Sequence, residues 1–361
     1  MKHKIAPSIV VILIVFIAVG ILFWFKKENL PDRQPEAAVK TQRLTRTGQE
    51  RRVAGQALDG VKVGPATNVT SAGKMPTQPP PFKQPEYLKQ FPDMPDHIRN
   101  VVQPDFTQTP QFEYRRRSKA VAALVGQLAP EDVKVLYAFL RMPPEEDRSM
   151  EPLALNSVKN DLMDLLIRQD PLPPDLGRQL LAIIGDLGAD EVLRDYAIQH
   201  LAPYFDRRWP SGSPPDSERD AVMEACRREL DTADGTFAGT ALIALHRIAT
   251  THPDIGRDGL LEKTRAMASD GSRSAITRTT AIQLCGRVGD SGILPVARVE
   301  AQSAETVQFR MAAIATLGDV GTSEDRNLLV SLAAENEARI RTAALSALKR
   351  LTNRLERVEP R

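Results

Sequence analysis

Two stretches near the C-terminus, RMAAIATLGDVG (Arg310–Gly321) and RTAALSALKRL (Arg341–Leu351), decide the fold class of this 361-residue chain. Apolar or small residues stand four, seven, eight and eleven positions after Phe309, and at the same steps after Ile340. These steps place the apolar side chains on one face of a helix with 3.6 residues per turn. Both stretches are therefore predicted to be α-helices with one buried face.

The same spacing recurs upstream, at intervals of 31 to 44 residues. Further copies begin at Thr277, Phe237, Leu193 and Val158, and a weaker one with Ala120, Ala123 and Leu124 begins at Arg116. Partner helices are expected between the copies, as in residues 217–230 and 325–332, and the glycines of the pairs Gly185-Asp186, Gly289-Asp290 and Gly318-Asp319 are expected in left-handed turns. Because one hairpin cannot bury its apolar stripe alone, the hairpins must stack. The predicted fold is all-α, an α-solenoid of about six to seven hairpins over residues 113–361.

The N-terminus, residues 1–27, is predicted to be a transmembrane signal anchor. Residues 5–25 carry no charged side chain, and Trp24 and Phe25 precede Lys26 and Lys27. As a helix this run spans roughly 31 Å, about the thickness of the hydrocarbon core. A cleaved signal peptide is the alternative, but the one small-x-small step, Ala18 to Gly20, lies inside the apolar run.

The orientation of the anchor follows from its flanking charges. The lysines and arginines after the span favour a cytoplasmic C-terminal part, whereas the short basic tail before it is typical of a signal anchor that leaves the bulk outside. We expect a single-pass protein of a bacterial-type inner membrane with a periplasmic solenoid, the cytoplasmic face being the alternative.

Residues 28–112 are predicted to be a disordered linker. Residues 26–112 hold 12 of the 27 prolines and show no sustained apolar periodicity, so they cannot bury enough apolar surface to offset chain entropy. The apolar residues at its end are expected either to pack on the first helices or to form a docking motif; they are Tyr87, Leu88, Phe91, Met94, Phe106 and Phe112. Residues 1–112 carry a net charge of +6, and residues 113–361 carry a net charge of −4.

The repeated stretches resemble the HEAT repeat family, specifically the bacterial HEAT-like repeats of the phycobilisome-lyase type. The resemblance is carried by the two opening stretches and by RTTAIQLCGRVGD (Arg278–Asp290), and it becomes looser towards residue 113. It implies an α-solenoid used as a binding scaffold. It leaves open a second function, that of an enzyme or accessory factor of the lyase type acting on a cofactor-bearing protein.

A basic side chain follows the first template residue in six of the seven copies. These residues form the basic column: Arg117, Lys159, Arg194, Arg278, Arg310 and Arg341. The resemblance implies a structural ladder in which the column bonds to Asp or carbonyl groups of neighbouring repeats, with Asp290 and Asp319 as the expected carboxylate acceptors. The alternative is a basic track for acidic peptides or other polyanions.

The segment 206–216 is the longest break in the helical pattern and the best candidate for a partner contact. Trp209, flanked by Arg207 and Arg208, is the residue type found at interaction hot spots. The alternative for Trp209 is a side chain folded back over the helix ends.

No catalytic, cofactor-binding or metal-binding residues are predicted. No histidine is followed by glutamate, as the metal-binding pairs of HEAT-like di-iron hydroxylases would require, and no nucleophile or phosphate-loop motif is present. His200, Cys226 and Cys285 fall on predicted apolar faces, and both cysteines are expected to be buried and reduced. The sequence thus predicts a non-enzymatic, membrane-tethered scaffold that binds an unidentified protein and no nucleic acid.

Overall fold

The computed structural model describes residues 89–103, 110–142 and 152–358. Within these ranges the chain forms fourteen α-helices and two short 3-10 helices, Pro253–Ile255 and Ser291–Ile293, and no strand. The predicted all-α class is therefore confirmed for the described residues. The predicted anchor lies outside them, and among the helices that are described none combines the length and apolarity needed to cross a bilayer.

The helices form seven consecutive pairs. The first helices of the pairs are α1 (Asp96–Val102), α3 (Pro130–Arg141), α5 (Leu176–Gly185), α7 (Ser217–Thr232), α9 (Asp258–Ser269), α11 (Leu294–Ser303) and α13 (Asp325–Ala333). The second helices are α2 (Pro110–Leu124), α4 (Pro152–Ile167), α6 (Glu191–Arg208), α8 (Thr236–Thr251), α10 (Ala275–Arg287), α12 (Val307–Val320) and α14 (Ala338–Val358).

The pairs stack in chain order. Each first helix packs on the second helix that follows it, and the second helices pack on one another in sequence from α2 to α14. The seven copies of the sequence template lie on these seven second helices. The arrangement is that of an α-solenoid, in which each repeat contacts its neighbours and shares one elongated core with them.

The apolar template residues form that core. In α12, Phe309, Ala313, Thr316 and Leu317 are all nearly inaccessible to solvent. The weak first copy is partly wrong, because Ala123 is exposed while Val121 is buried.

The helices also begin earlier than predicted. Helix α1 lies within residues 28–112, and its side chains Ile98, Val101 and Val102 are buried. Just upstream, the rings of Phe91 and Phe139 lie 6.1 Å apart. For Phe91, packing on the first helices is therefore the correct alternative.

Only one of the three predicted glycine turns is left-handed. Gly289 has a φ of 76°, whereas Gly185 is the last residue of α5 and Gly318 lies inside α12. The reason for glycine at position 318 is proximity, since a Cβ there would lie 2.8 Å from the Cα of Ala347 in α14. Gly318 therefore allows the last two second helices to approach closely.

Candidate partner-binding surface

The basic column lies where the two helices of each pair meet. Five of its members donate a hydrogen bond to a carbonyl at or just beyond the end of a first helix. The pairs are Lys159 with Met142 (2.5 Å), Arg194 with Ile184 (3.0 Å), Arg278 with Ala268 (3.1 Å), Arg310 with Ala301 (3.1 Å) and Arg341 with Glu335 (3.0 Å). The last carbonyls of a helix lack backbone partners, and a cation also interacts favourably with that end of the helix dipole.

Most column arginines also contact a side chain. The Arg117 guanidinium binds Asp161 of the next pair at 2.6 Å, Arg278 binds Glu300, and Arg310 binds Glu335 at 2.7 Å. Arg194 instead lies over the ring of Phe237, 4.8 Å from its centroid. These contacts fit the structural ladder and leave few free donors for a polyanion.

The predicted carboxylate acceptors are wrong. Asp290 binds Arg265 at 2.8 Å and Asp319 binds Arg350 at 2.7 Å, so neither contacts the column. The carboxylate acceptors are Glu300 on the first helix α11, Glu335 in the loop after α13, and Asp161 on the second helix α4. The repeated template carries no signal for these positions.

Two arginines outside the predicted column complete the pattern. Arg116 donates to the carbonyls of Asn100 and Gln103 at the end of α1, at 2.7 and 2.8 Å. Arg273 donates to the carbonyl of Ala233 after α7, at 2.6 Å. Arg273 thereby replaces the residue missing from the column at Ala238, and a side chain from a different loop could not be found by template spacing.

Trp209 is buried, with 2% of its surface exposed. Its ring packs on Tyr204 and Phe205, with centroid distances of 5.8 and 4.9 Å, and its indole N–H donates to Asp216 at 3.0 Å. The hypothesis that Trp209 anchors a partner is therefore corrected: the indole closes the end of α6 and is not accessible.

Arg207 and Arg208 remain exposed beside it. The nearest carboxylate oxygens lie 3.8 Å from Arg207, in Asp170, and 3.5 Å from Arg208, in Glu218. Such long, solvated pairs contribute little and leave the guanidinium donors available. Of the predicted contact residues, these two can reach a partner.

Arg208 borders an open groove of about 590 Å³, which we call the α5–α7 groove. Its lining comes from the loop before α5 and from three helices: Leu172, Pro173, Pro174, Asp175, Arg178, Leu181, Tyr204, Arg208, Ser217, Glu218 and Ala221. At its floor the Tyr204 hydroxyl donates to Glu218 at 2.8 Å. Burial and the neighbouring Glu218 carboxylate raise the pKa of Tyr204, which keeps this donor protonated.

Arg178 adds a second exposed guanidinium to the groove and pairs with Asp175 at the surface. Sequence reasoning missed Arg178 because it lies about one repeat upstream of Arg208, and only the packing of α5 on α7 brings the two sides together. The groove thus combines a proline-rich apolar wall with two arginines, Arg178 and Arg208, and two carboxylates, Asp175 and Glu218.

No group of three or more histidine, cysteine or acidic side chains within the described ranges is placed to hold a metal ion. His200 bonds to Asn160 at 3.0 Å and His246 to Thr264 at 2.8 Å. Burial lowers the pKa of each of these histidines to about 4, so both are neutral at pH 7. Cys226 and Cys285 are free and buried, and burial raises the pKa of both thiols to about 12.

Residues 261–349 match the model of HEAT repeats, which covers most of the last three helix pairs. No curated protein matches the chain by sequence. Among solved structures, human deoxyhypusine hydroxylase in complex with glycerol is 14% identical, with a TM-score of 0.31, over 74% of this chain and 99% of that one. Kap121p bound to Ste12p and Kap121p bound to Nup53p are each 15% identical, with TM-scores of 0.39, over 75% of this chain and 29% of the Kap121p chain.

Proposed function

We propose that this chain is a non-enzymatic scaffold that binds a partner protein, because residues 261–349 match the model of HEAT repeats and the upstream helices continue the same stack. The supporting observation is the α5–α7 groove, where Arg178 and Arg208 are exposed. Arg178 pairs with Asp175 at the surface, and the nearest carboxylate oxygen to Arg208 lies 3.5 Å away, in Glu218. The rest of the stack supports this assignment, since its buried cations are committed to helix ends.

The partner surface that fits the groove is an extended segment with carboxylate side chains. Carboxylates pair with guanidinium groups in bidentate geometry, and the prolines of the wall provide a rigid apolar surface. An acidic segment would displace the long contacts of Arg208 with Asp216 and Glu218 at little cost, because these contacts are solvated.

We further propose that the sequence before the stack tethers it to a membrane. Residues 5–25 would supply the span, and the proline-rich segment would supply reach. A tethered stack raises the local concentration of its partner at the bilayer. In this arrangement the stack lies in the periplasm.

Site-specific photocrosslinking in the full chain tests the binding proposal. A photoreactive amino acid at Ala221, which lines the groove, should yield one stoichiometric protein adduct. The same probe at exposed Ala122 of α2, remote in sequence, is the control. Equal adducts from both positions, or none from Ala221, would rule out the groove as the contact.

A further inference from the structure

Lys159 is the one lysine of the basic column, and it differs from the arginines in its contacts. Its side chain is 1% exposed, and its ammonium donates to the Met142 carbonyl at 2.5 Å. An ammonium has three protons to donate. Among the described residues, no carboxylate hydrogen bond and no aromatic ring provides Lys159 with the second contact that Arg194, Arg278 and Arg310 have.

A cavity of about 620 Å³ lies at the place where that second contact is missing. We call it the Lys159 cavity. Its walls mix polar and charged groups with apolar side chains, among them Phe91, Leu140, Leu155, Ile183 and Leu193. The volume falls within the range of small-molecule sites, about 300 to 1,000 Å³, and such sites combine apolar walls with a few fixed polar groups.

The acidic groups of the cavity already have donors from their own chain. Asp190 accepts from the side chain of Asn156 at 2.6 Å and from the backbone of Val192 at 2.9 Å. Asp186 accepts from the backbone of Gly188 at 2.9 Å. Lys159 is the buried cation of the lining and keeps protons to donate beyond its bond to Met142, and the exposed Arg141 adds a second positive charge to the lining.

We propose that the Lys159 cavity binds a carboxylate carried on a short apolar chain, with the carboxylate on Lys159 and the chain against the leucine and isoleucine walls. The ligand would supply the acidic partner that Asp161, Glu300 and Glu335 supply to the column arginines. Both the C-terminal residue of a peptide and a free short-chain acid have this chemistry.

The ionisation of Lys159 agrees with this assignment. Burial lowers its pKa to about 8, and the Asp190 carboxylate limits the shift. Lys159 is thus mostly charged at pH 7, and a bound carboxylate would favour its charged form. Lys159 is lined on the cavity side by Arg141, Asp186 and Asp190, and as it loses its proton, carboxylate binding should weaken between about pH 7 and about pH 9.5.

Calorimetric titration of the full chain tests the proposal with defined probes: N-acetyl-leucine, hexanoate, and the amides of both acids. At least one acid should bind about tenfold or more tightly than its amide, because a charge-assisted hydrogen bond is lost in the amide. Tighter binding of N-acetyl-leucine would identify a peptide terminus as the natural ligand, and tighter binding of hexanoate would identify a free acid.

Matched variants locate the binding. Lys159→Met should weaken it about tenfold or more, whereas Lys134→Met, at an exposed lysine of α3, should leave it unchanged. Ala182→Phe fills the cavity from an exposed position, so it should block binding without disturbing the fold, and Ala122→Phe in α2 is its control.

Three results would overturn the proposal. They are the absence of binding for both acids up to about 10 mM, equal binding of acids and amides, and undiminished binding to the Lys159→Met and Ala182→Phe variants. A fourth result would also overturn it. Residues 143–151 lie outside the described ranges and carry Glu145, Glu146 and Asp147. If replacing these three by Gln, Gln and Asn tightens the binding of the added acids about tenfold, a carboxylate of the chain itself, and not a separate ligand, is the partner of Lys159.

Discussion

At the scale of single residues, Asp195 in α6 is a buried carboxylate without a matching cation. It is 5% exposed, its Oδ1 has no hydrogen-bond partner in the described chain, and its Oδ2 accepts from Gln199 at 3.3 Å. Burial raises its pKa to about 6, although the neighbouring Thr240 and Gln199 side chains oppose the shift. Folding therefore binds a proton between the unfolded pKa of about 4 and this value.

The sign of the pH dependence follows from that shift. The folded state is penalised once Asp195 loses its proton, so this residue lowers stability as pH rises from about 4 to about 6. Asp195→Asn should increase the free energy of unfolding at pH 7.5 by on the order of 1–3 kcal/mol, and the gain should shrink near pH 4.5. Urea unfolding of the variant at both pH values measures the change in the free energy of unfolding.

Glu224→Gln, on the exposed face of α7, is the control. A lower free energy of unfolding for Asp195→Asn at pH 7.5 would contradict the claim that the charged Asp195 destabilises the fold.

Gly318 gives a second residue-scale prediction. Gly318→Val places a side chain against the Ala347 backbone and should lower the free energy of unfolding by about 1–3 kcal/mol, because α12 and α14 must separate. Gly259→Val in α9 is the matched control, since nothing lies within 4 Å of the Cβ position there. Denaturant titration compares the two. Equal effects of both substitutions would show that helix propensity, not close packing, sets the cost.

At the scale of the helices, cationic side chains complete the ends of the first helices. Arg310→Ala should lower the free energy of unfolding by about 1–3 kcal/mol, because it leaves the Ala301 carbonyl and Glu335 without this donor. Arg326→Ala, on the exposed face of α13, should change it by less than about 0.5 kcal/mol. Partner binding should be unaffected by either variant. A stable Arg310→Ala chain with reduced partner binding would instead favour the basic track.

The sequence predicted the second helices well because their buried faces repeat. Each copy from Val158 onward places buried residues at the expected steps, as in Ile340, Ala344 and Ala347 of α14. The bonds at the helix ends could not be predicted in the same way. Arg273 and Arg116 reach carbonyls that lie on other elements, so their roles depend on how neighbouring pairs dock.

The candidate site was predicted only in part for the same physical reason. Arg207 and Arg208 follow the end of a periodic stretch and are exposed, as expected. Trp209 is buried because Tyr204 and Phe205, one turn earlier on α6, provide an aromatic surface at the position where the helix ends. Arg178 and the proline wall come from α5 and its preceding loop, which carry no repeat signal.

At the scale of the whole molecule, the charge is divided between the two parts of the chain. The net charge of +2 combines +6 in residues 1–112 with −4 in residues 113–361. Many cations of the stack bond to helix ends or to acidic partners, whereas Arg178 and Arg208 of the groove are exposed. Under the proposed function, a stack that is acidic on average would therefore present exposed arginines at its contact site.

The proposed tether predicts a membrane-bound chain. Deletion of residues 1–27 should move the protein from the membrane fraction to the soluble fraction. In intact cells, a periplasmic stack should be accessible to protease once the outer membrane is permeabilised. Recovery of the full chain in the soluble fraction would exclude the anchor, and protection of the stack from protease would support the cytoplasmic alternative.

The affinity of the photocrosslinked partner for charge-reversed variants tests the central claim most directly. Arg178→Glu with Arg208→Glu reverses the two arginines that line the groove, and Lys349→Glu with Arg357→Glu reverses two exposed cations of α14 by the same total charge. With the thermal midpoint of each variant as a check on folding, the groove variant should lose about tenfold or more in affinity while the α14 variant keeps it. Equal affinity of the two variants would contradict binding at the groove.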